Sequence, residues 1–283
     1  MRPQYDLTLS PHELAPLIGR DDVVVIDCRH DLARREWGEG AYREGHIPGA
    51  LFAHLDDDLS GPVSARSGRH PLPATQAFAA TASRWGIDER VQVVAYDARE
   101  GALAARLWWL LRYLGHERVA VLDGGLAAWS ADGLPLASEV PQRQPRVFRP
   151  RPDPSRVVET GEIEAALQRG SISLVDARSA ERFAGHNETL DPVAGHVPGA
   201  RNHPFASNLD ANGHFLPAAR LRERWQATLA AAPASQVVCM CGSGVTACHN
   251  LLALELAGLP GARLYAGSWS EWIRDPGRPV ARG

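Results

Sequence analysis

The sequence predicts an α/β protein made by tandem duplication, each copy a mostly parallel sheet flanked by helices. Three observations carry this. Four segments recur in the same order along the chain, short apolar runs alternate with helical segments inside each copy, and a proline-rich stretch separates the copies. The length of 283 residues suits two domains, since single domains usually hold roughly 100–200 residues.

The repeat begins with VVVIDCRH at 23–30, which returns as ISLVDARS at 172–179 and sets Asp27 against Asp176, 149 residues apart. EGHIPGA at 44–50 matches AGHVPGA at 194–200, pairing His46 with His196. VQVVAYD at 91–97 matches SQVVCMC at 235–241, so Asp97 falls opposite Cys241. VLDGGLAAW at 121–129 matches RLYAGSWSEW at 263–272, pairing Gly124 with Gly267 and Trp129 with Trp272. Between the copies, residues 134–154 hold six prolines and four arginines without periodicity and read as an extended surface linker. The expected organisation is a first domain over 1–140, a linker over 141–154 and a second domain over 155–283.

Within the second copy, ETGEIEAALQRG predicts a short helix over 162–168 with Thr160 as its cap. ISLVDAR and SQVVCM are strand-type runs, residues 218–232 read as a helix, and ARLYAG is a final strand. The first copy follows the same order, with a helix over 101–115. Buried strands alternating with helices imply a parallel sheet covered on both faces.

Composition removes several function classes. The chain has 30 Lys+Arg and 33 Asp+Glu, a net charge of −3, which gives no reason to expect nucleic acid or a membrane surface as partner. No apolar run approaches the roughly 18 residues of a membrane span, and the N-terminal segment does not read as a signal peptide. The expected location is the cytoplasm and the expected state a monomer. Four cysteines are too few for a disulfide framework. Cys28, Cys239 and Cys248 read as core residues, and His46 and His196 as turn residues bonded to backbone.

Cys241 stands apart. Residues 237–251 run strand VVCM, turn CGSGVT, helix ACHNL, and ligands bind beyond the carboxyl ends of strands in open α/β sheets. Gly242 and Gly244 permit a tight turn whose N–H groups point at a common centre, and the following helix adds its positive end. This setting favours a thiolate or persulfide at Cys241. The N–H groups of residues 242–246, which include Val245 and Thr246, form the expected cradle. Zinc is disfavoured because paired ligand clusters are lacking, and neither a metal nor a cofactor is expected. Ser243 lacks the G-x-S-x-G context of a hydrolase.

These motifs, from IDCR through GHIPGA, AARLWWLLRYLGH and VLDGGLAAW to CGSGVTACHN and GSWSEW, resemble the two-domain sulfurtransferases: rhodanese and 3-mercaptopyruvate sulfurtransferase. The resemblance covers nearly the whole chain. It implies two rhodanese-like domains, the first catalytically silent because Asp97 replaces the cysteine, and supplying one wall of an interdomain cleft. It further implies ping-pong transfer of a sulfane sulfur through a Cys241 persulfide to cyanide, a thiol or thioredoxin. The donor it implies is 3-mercaptopyruvate, because CGSGVT resembles the loop of those enzymes. The alternative donor is thiosulfate, whose enzymes carry a basic CRKGVT loop. A non-enzymatic sulfur-carrier or binding module is the reading of another class, disfavoured by the retained cysteine. A related phosphatase would need arginine where Ala247 stands.

By the same resemblance Arg182 binds the donor carboxylate, and Ser243, His70 and Asp58 form a hydroxyl-imidazole-carboxylate relay, with Asp56 and Asp57 competing for the last place. The family's second substrate arginine is missing from HNETLDPVAG at 186–195. His186, Asn187 and Arg201 are the candidates to replace it.

Overall fold

Consecutive Val and Ile residues suit strands buried on both faces, and such runs form the sheet centre in each copy. The structure, a computed structural model, describes residues 4–230 and 232–283. Residues 1–3, within the N-terminal segment, and residue 231, inside the expected 218–232 helix, lie outside the described set. The chain divides into two units. One holds the residues up to Gly61, Pro73–Asp153 and Ala211–His214; the other holds Pro62–Leu72, Pro154–Asp210 and Phe215–Gly283.

In the first unit the strands are β1 (Thr8–Leu9), β2 (Val23–Asp27), β3 (Leu51–Phe52), β4 (Gln92–Tyr96) and β5 (Val119–Leu122). Its helices are α1 (Pro11–Leu14), α2 (Trp37–Glu44), α3 (Thr75–Arg84), α4 (Ala104–Tyr113) and α5 (Gly125–Ala131). The sheet order is β1-β5-β4-β2-β3, with every pair parallel. The second unit has β6 (Ser173–Asp176), β7 (Arg201–Asn202), β8 (Val237–Met240) and β9 (Arg263–Leu264), with α6 (Thr160–Gln168), α7 (Ala180–Ala184), α8 (Ala218–Leu229), α9 (Ala247–Leu256) and α10 (Ser268–Trp272). Its order, β7-β6-β8-β9, repeats the first without β1, and all pairs are again parallel. An isolated parallel bridge between Val157 and Leu264 takes the place of β1.

Local chemistry sets several boundaries. Helix α6 starts two residues before the expected Glu162, and Thr160 is its first residue rather than its cap. The Glu162 carboxylate accepts from the Glu159 N–H at 3.1 Å, while Thr160 Oγ1 pairs with the Tyr265 hydroxyl at 2.9 Å. Helix α8 ends at Leu229, and Ala230 after it, with φ of 48°, leaves the right-handed helical region. Helices α4 and α9 bury their first eight residues entirely, Ala104–Leu111 and Ala247–Leu254. Both are core helices, so neither shows a polar face. Residues 138–153 of the expected linker carry no helix or strand. They run along the first unit, where the Arg146 N–H reaches Ser83 O at 3.0 Å, the Asp153 N–H reaches Tyr113 O at 2.9 Å, and Phe148 is buried.

One construction appears twice. Asp27, at the end of β2, accepts a two-pronged contact from Arg29, whose Nη2 also donates to Gly45 O at 2.7 Å. Asp176 and Arg178 do the same, with Arg178 Nη2 donating to Gly195 O at 2.8 Å. Each pair thereby ties its central strand to the turn before His46 or His196. Those histidines bond backbone, Nδ1 to Tyr42 O at 2.7 Å and to Phe183 O at 2.8 Å. They also stack on the rings of Tyr42 and Phe183. Both Asp27 and Asp176 are fully buried. Removing one member of a buried pair strands a charge, which costs about 3–5 kcal/mol. Arg29→Ala is therefore expected to lower the stability of the first unit by about that amount in urea unfolding. A loss below about 1 kcal/mol would show that the pair does not hold strand to turn.

Candidate active site

The strand β8 delivers Cys241 to the carboxyl edge of the second sheet, and α9 starts six residues later at Ala247. Between them the loop carbonyls are drawn to one side. The N–H groups of Trp269 and Ser270, at the start of α10, donate to Cys241 O at 3.0 Å and Gly242 O at 2.9 Å. Across a planar trans peptide the N–H points opposite to the C=O. Binding these two carbonyls outward therefore turns the N–H groups of Gly242 and Ser243 the other way. Gly244, with φ of +78°, completes the turn; its N–H donates to Cys241 Sγ at 3.1 Å. A Cβ there would lie 2.3 Å from Ala266 O, so no other residue fits.

Ser268 supports the loop from beneath. It adopts the left-handed region with φ of 54°, a cost of roughly 1–3 kcal/mol for a residue with a Cβ. Its Oγ accepts from the Cys241 N–H at 3.0 Å and donates to Tyr265 O at 2.9 Å. Cys241 is 2 % exposed and Ser243 5 %. Val245 is buried, its carbonyl accepting from the Cys248 N–H at 3.0 Å, and Thr246 is the N-cap of α9. Cys248 Sγ lies 3.4 Å from Gly244 O. All four cysteines are buried thiols outside any disulfide, and burial pushes the thiols of Cys28 and Cys239 well up.

The first copy has a corresponding loop, one residue longer, with different contents. There the N–H groups of Leu126 and Ala127 take the carbonyls of Asp97 and Ala98 at 2.9 and 3.0 Å. The Asp97 carboxylate accepts from the N–H groups of Arg99, Gly101, Leu103 and Ala104 at 3.1, 2.9, 2.8 and 3.2 Å. The cradle thus binds an anion, and in this copy the anion is its own side chain. Gly125, with φ of +56°, occupies the place of Ser268.

Around the Cys241 loop, His70 Nδ1 lies 2.7 Å from Ser243 Oγ, with both residues buried. His70 reaches the loop because the segment 62–72 belongs to the second unit. Asp58 belongs to the first unit, where its Oδ2 accepts from the His54 N–H at 2.9 Å and burial raises its pKa. Asp56 and Asp57 both pair with Arg35. Arg182 faces Gly242, its guanidinium nitrogens 3.5 and 3.7 Å from where a Cβ would stand. It is held by Glu188, with Nη2 to Oε1 at 2.9 Å, and by Asp191 at 3.3 Å.

Sequence reasoning passed over Arg69. Its Nη2 is 3.0 Å from the same Cβ position at Gly242, and its Nη1 pairs with Asp191. The short loop carries no positive side chain, yet two guanidiniums reach it from elsewhere in the chain. Of the candidates for that role, Asn187 bonds Glu181, Arg201 donates to Thr228 O, and His186 is exposed. The available signal was position, since Arg69 directly precedes His70. Burial works to raise Glu188, but the Arg182 guanidinium and the N–H groups of Leu190 and Asp191 outweigh it and hold the carboxyl below its ordinary range. For Asp191 burial wins with help from Glu188, and its pKa rises against the pull of Arg69 and Arg182. Among the described residues no group of His, Cys, Asp or Glu side chains is placed to hold a metal ion. No helix among them is long and apolar enough to cross a membrane.

The rhodanese-like domain profile matches residues 10–132 and again 159–275. The chain belongs to the rhodanese-like family. It is 49 % identical over 277 residues to a Pseudomonas aeruginosa protein named as a probable 3-mercaptopyruvate sulfurtransferase, covering 97 % of this chain and 98 % of that one. It is 34 % identical to the thiosulfate sulfurtransferase of Gallus gallus, covering 82 % and 80 %. The crystal structure of SseA from Escherichia coli, a 3-mercaptopyruvate sulfurtransferase, superposes with a TM-score of 0.81 at 31 % identity, covering 94 % of this chain and all of that one. The protein is a sulfurtransferase of this family, with two rhodanese-like copies of α/β fold.

Gly244→Ala puts a Cβ into the Ala266 carbonyl and forces a left-handed backbone on alanine. The expected result is a loss of stability of about 1–3 kcal/mol and at least about a tenfold fall in kcat/KM. Calorimetry and steady-state rates measure both; an unchanged rate would show that the turn does not shape the site.

Proposed function

We propose that the enzyme takes sulfur from 3-mercaptopyruvate through a persulfide on Cys241. The observation that carries this reading is the 2.7 Å contact between His70 Nδ1 and Ser243 Oγ, two residues along the loop from Cys241. The Cys241 thiolate attacks the donor sulfur, the carbon–sulfur bond breaks, and the electron pair leaves on the carbon as the enolate of pyruvate. The proton that began on the donor sulfur ends on that carbon. Ser243 and His70 are the hydroxyl and imidazole suited to polarise the ketone and carry this proton. The loop N–H groups stabilise the persulfide anion, as the first copy's loop stabilises the Asp97 carboxylate. A thiophile then takes the outer sulfur and restores the thiolate; with cyanide the product is thiocyanate. In the cell the acceptor is proposed to be a thiol or thioredoxin, and the enzyme a cytoplasmic monomer.

Thiosulfate is the second reading. The two guanidiniums beside Gly242 favour it, since they supply positive charge that the loop's own side chains lack.

Intact mass after incubation with either donor is expected to show an added sulfur of about 32 Da on the wild type and none on Cys241→Ser. An adduct that persists in the variant would remove Cys241 from the mechanism. His70→Ala is expected to cut kcat/KM for mercaptopyruvate by about a hundredfold, within the usual range for acid–base catalysis, and to affect thiosulfate far less. Equal losses for the two donors would sink the proton-carrying role.

A further inference from the structure

We infer that Arg69 is a specificity-determining residue that recognises a carboxylate on the sulfur donor, acting as a pair with Arg182. This rests on the proposed carboxylate-bearing donor. Neighbouring groups hold Arg69 in place. The Gly68 backbone lies so close to Gly267 that a Cβ would stand 2.5 Å from its carbonyl oxygen. The Arg69 N–H donates to Ser270 Oγ at 3.0 Å, and Arg274 Nε donates to Ser67 O at 3.2 Å. One residue on, His70 engages Ser243. The segment 67–70 is therefore pinned to α10 and to the loop, and the Arg69 side chain has a fixed origin.

Its outer end is fixed as well. Nη1 pairs with Asp191 Oδ1, while Asp191 Oδ2 accepts from Arg182 Nη2 at 3.3 Å. One carboxylate thus bridges two guanidiniums, and Asp191 itself is almost wholly buried. Both guanidiniums turn toward Gly242, the residue after Cys241, at 3.0 and 3.5 Å from its Cβ position. Asp191 shows that the pair is spaced to grip a carboxylate from one side. A donor carboxylate approaching from the Gly242 side meets the same two guanidiniums through Nη2 of Arg69 and Nη1 of Arg182, while Arg69 Nη1 and Arg182 Nε and Nη2 are held by Glu188 and Asp191. Arginine is required because a planar fork can hold Asp191 with one nitrogen and the donor with another, which an ammonium point charge cannot do as well.

The test compares two alkylating reagents at Cys241, 3-bromopyruvate and bromoacetone, which share the reacting carbon and ketone and differ in the carboxylate. Rates of modification are followed by mass spectrometry and each is divided by its rate with glutathione. The wild type is expected to favour bromopyruvate. Arg69→Met is expected to cut that preference by about tenfold or more, the worth of a charge-assisted hydrogen bond, with the bromoacetone rate unchanged. Arg69→Lys is expected to recover part of it. A preference unchanged in Arg69→Met overturns the inference, as does an equal fall for both reagents, which would mark a structural role. The alkylation does not depend on sulfur transfer, so a wild type that prefers bromopyruvate yet makes no persulfide from mercaptopyruvate would defeat the donor reading and leave the carboxylate pair standing.

Discussion

The site depends on one arrangement of backbone groups: the first two carbonyls of each loop are given to the start of the unit's last helix. The N–H groups at a helix start have no partner within the helix. Here they take Cys241 O and Gly242 O, and in the first copy Asp97 O and Ala98 O. Peptide planarity does the rest, because outward carbonyls leave inward N–H groups. Glycine is needed only at the places this geometry forces. Gly244 has no room for a Cβ against Ala266 O, and Gly125 none against Asp97 O.

The duplication then shows what the arrangement is for. With the corresponding carbonyls tied to the corresponding helix, the two loops differ in length by one residue and, at the position from which each loop starts, in the group they surround. Asp97 brings its own charge and satisfies four N–H groups with it. A loop filled in this way has no capacity left for a ligand anion. Cys241 brings a sulfur atom that engages Gly244 N–H and can gain another sulfur. The second change is at Ser268, where the first copy has Gly125. Serine accepts the backbone cost of a left-handed conformation and gives the Cys241 N–H an oxygen partner. A buried N–H without a partner would cost about as much as the strain, so the exchange is close to neutral in stability while fixing the cysteine backbone.

Much of this was legible in the sequence, for reasons that are local or repetitive. The strand Val237–Met240, the turn and the helix from Ala247 follow from apolar runs broken by glycines. The order of elements follows from the repeat. Helix starts were less legible: α6 begins at Thr160 because Glu162 reaches back to the Glu159 N–H, a side-chain bond that a composition pattern does not reveal. Least legible was the charge around the cysteine. Arg69 and Asp191 are 122 residues apart and meet only because 62–72 belongs to the second unit. The segment HNETLDPVAG looked deficient for want of an arginine. Its contribution is Glu188 and Asp191, the carboxylates that hold arginines from elsewhere.

That charge balance bears on how the site discriminates between donors. Arg69, Arg178 and Arg182 face Asp176, Glu188 and Asp191, three charges of each sign in one connected set. Compensated charges exert little attraction at long range, so the cluster does not act as a general trap for anions. Its strength is at short range, where the guanidiniums are already oriented by Glu188 and Asp191 and the proposed donor carboxylate would meet nitrogens fixed in place. Basic side chains on the loop itself would act differently, placing uncompensated charge beside the sulfur being transferred. Because Gly242 and Ser243 occupy those positions, the proposed mercaptopyruvate reading places recognition at the far end of the donor rather than at the sulfur. In that reading the ketone between them falls to Ser243 and His70, which lie 2.7 Å apart. On the proposed mechanism the loop's small residues are therefore what would make an arginine-held carboxylate and a hydroxyl-held ketone compatible with one cysteine.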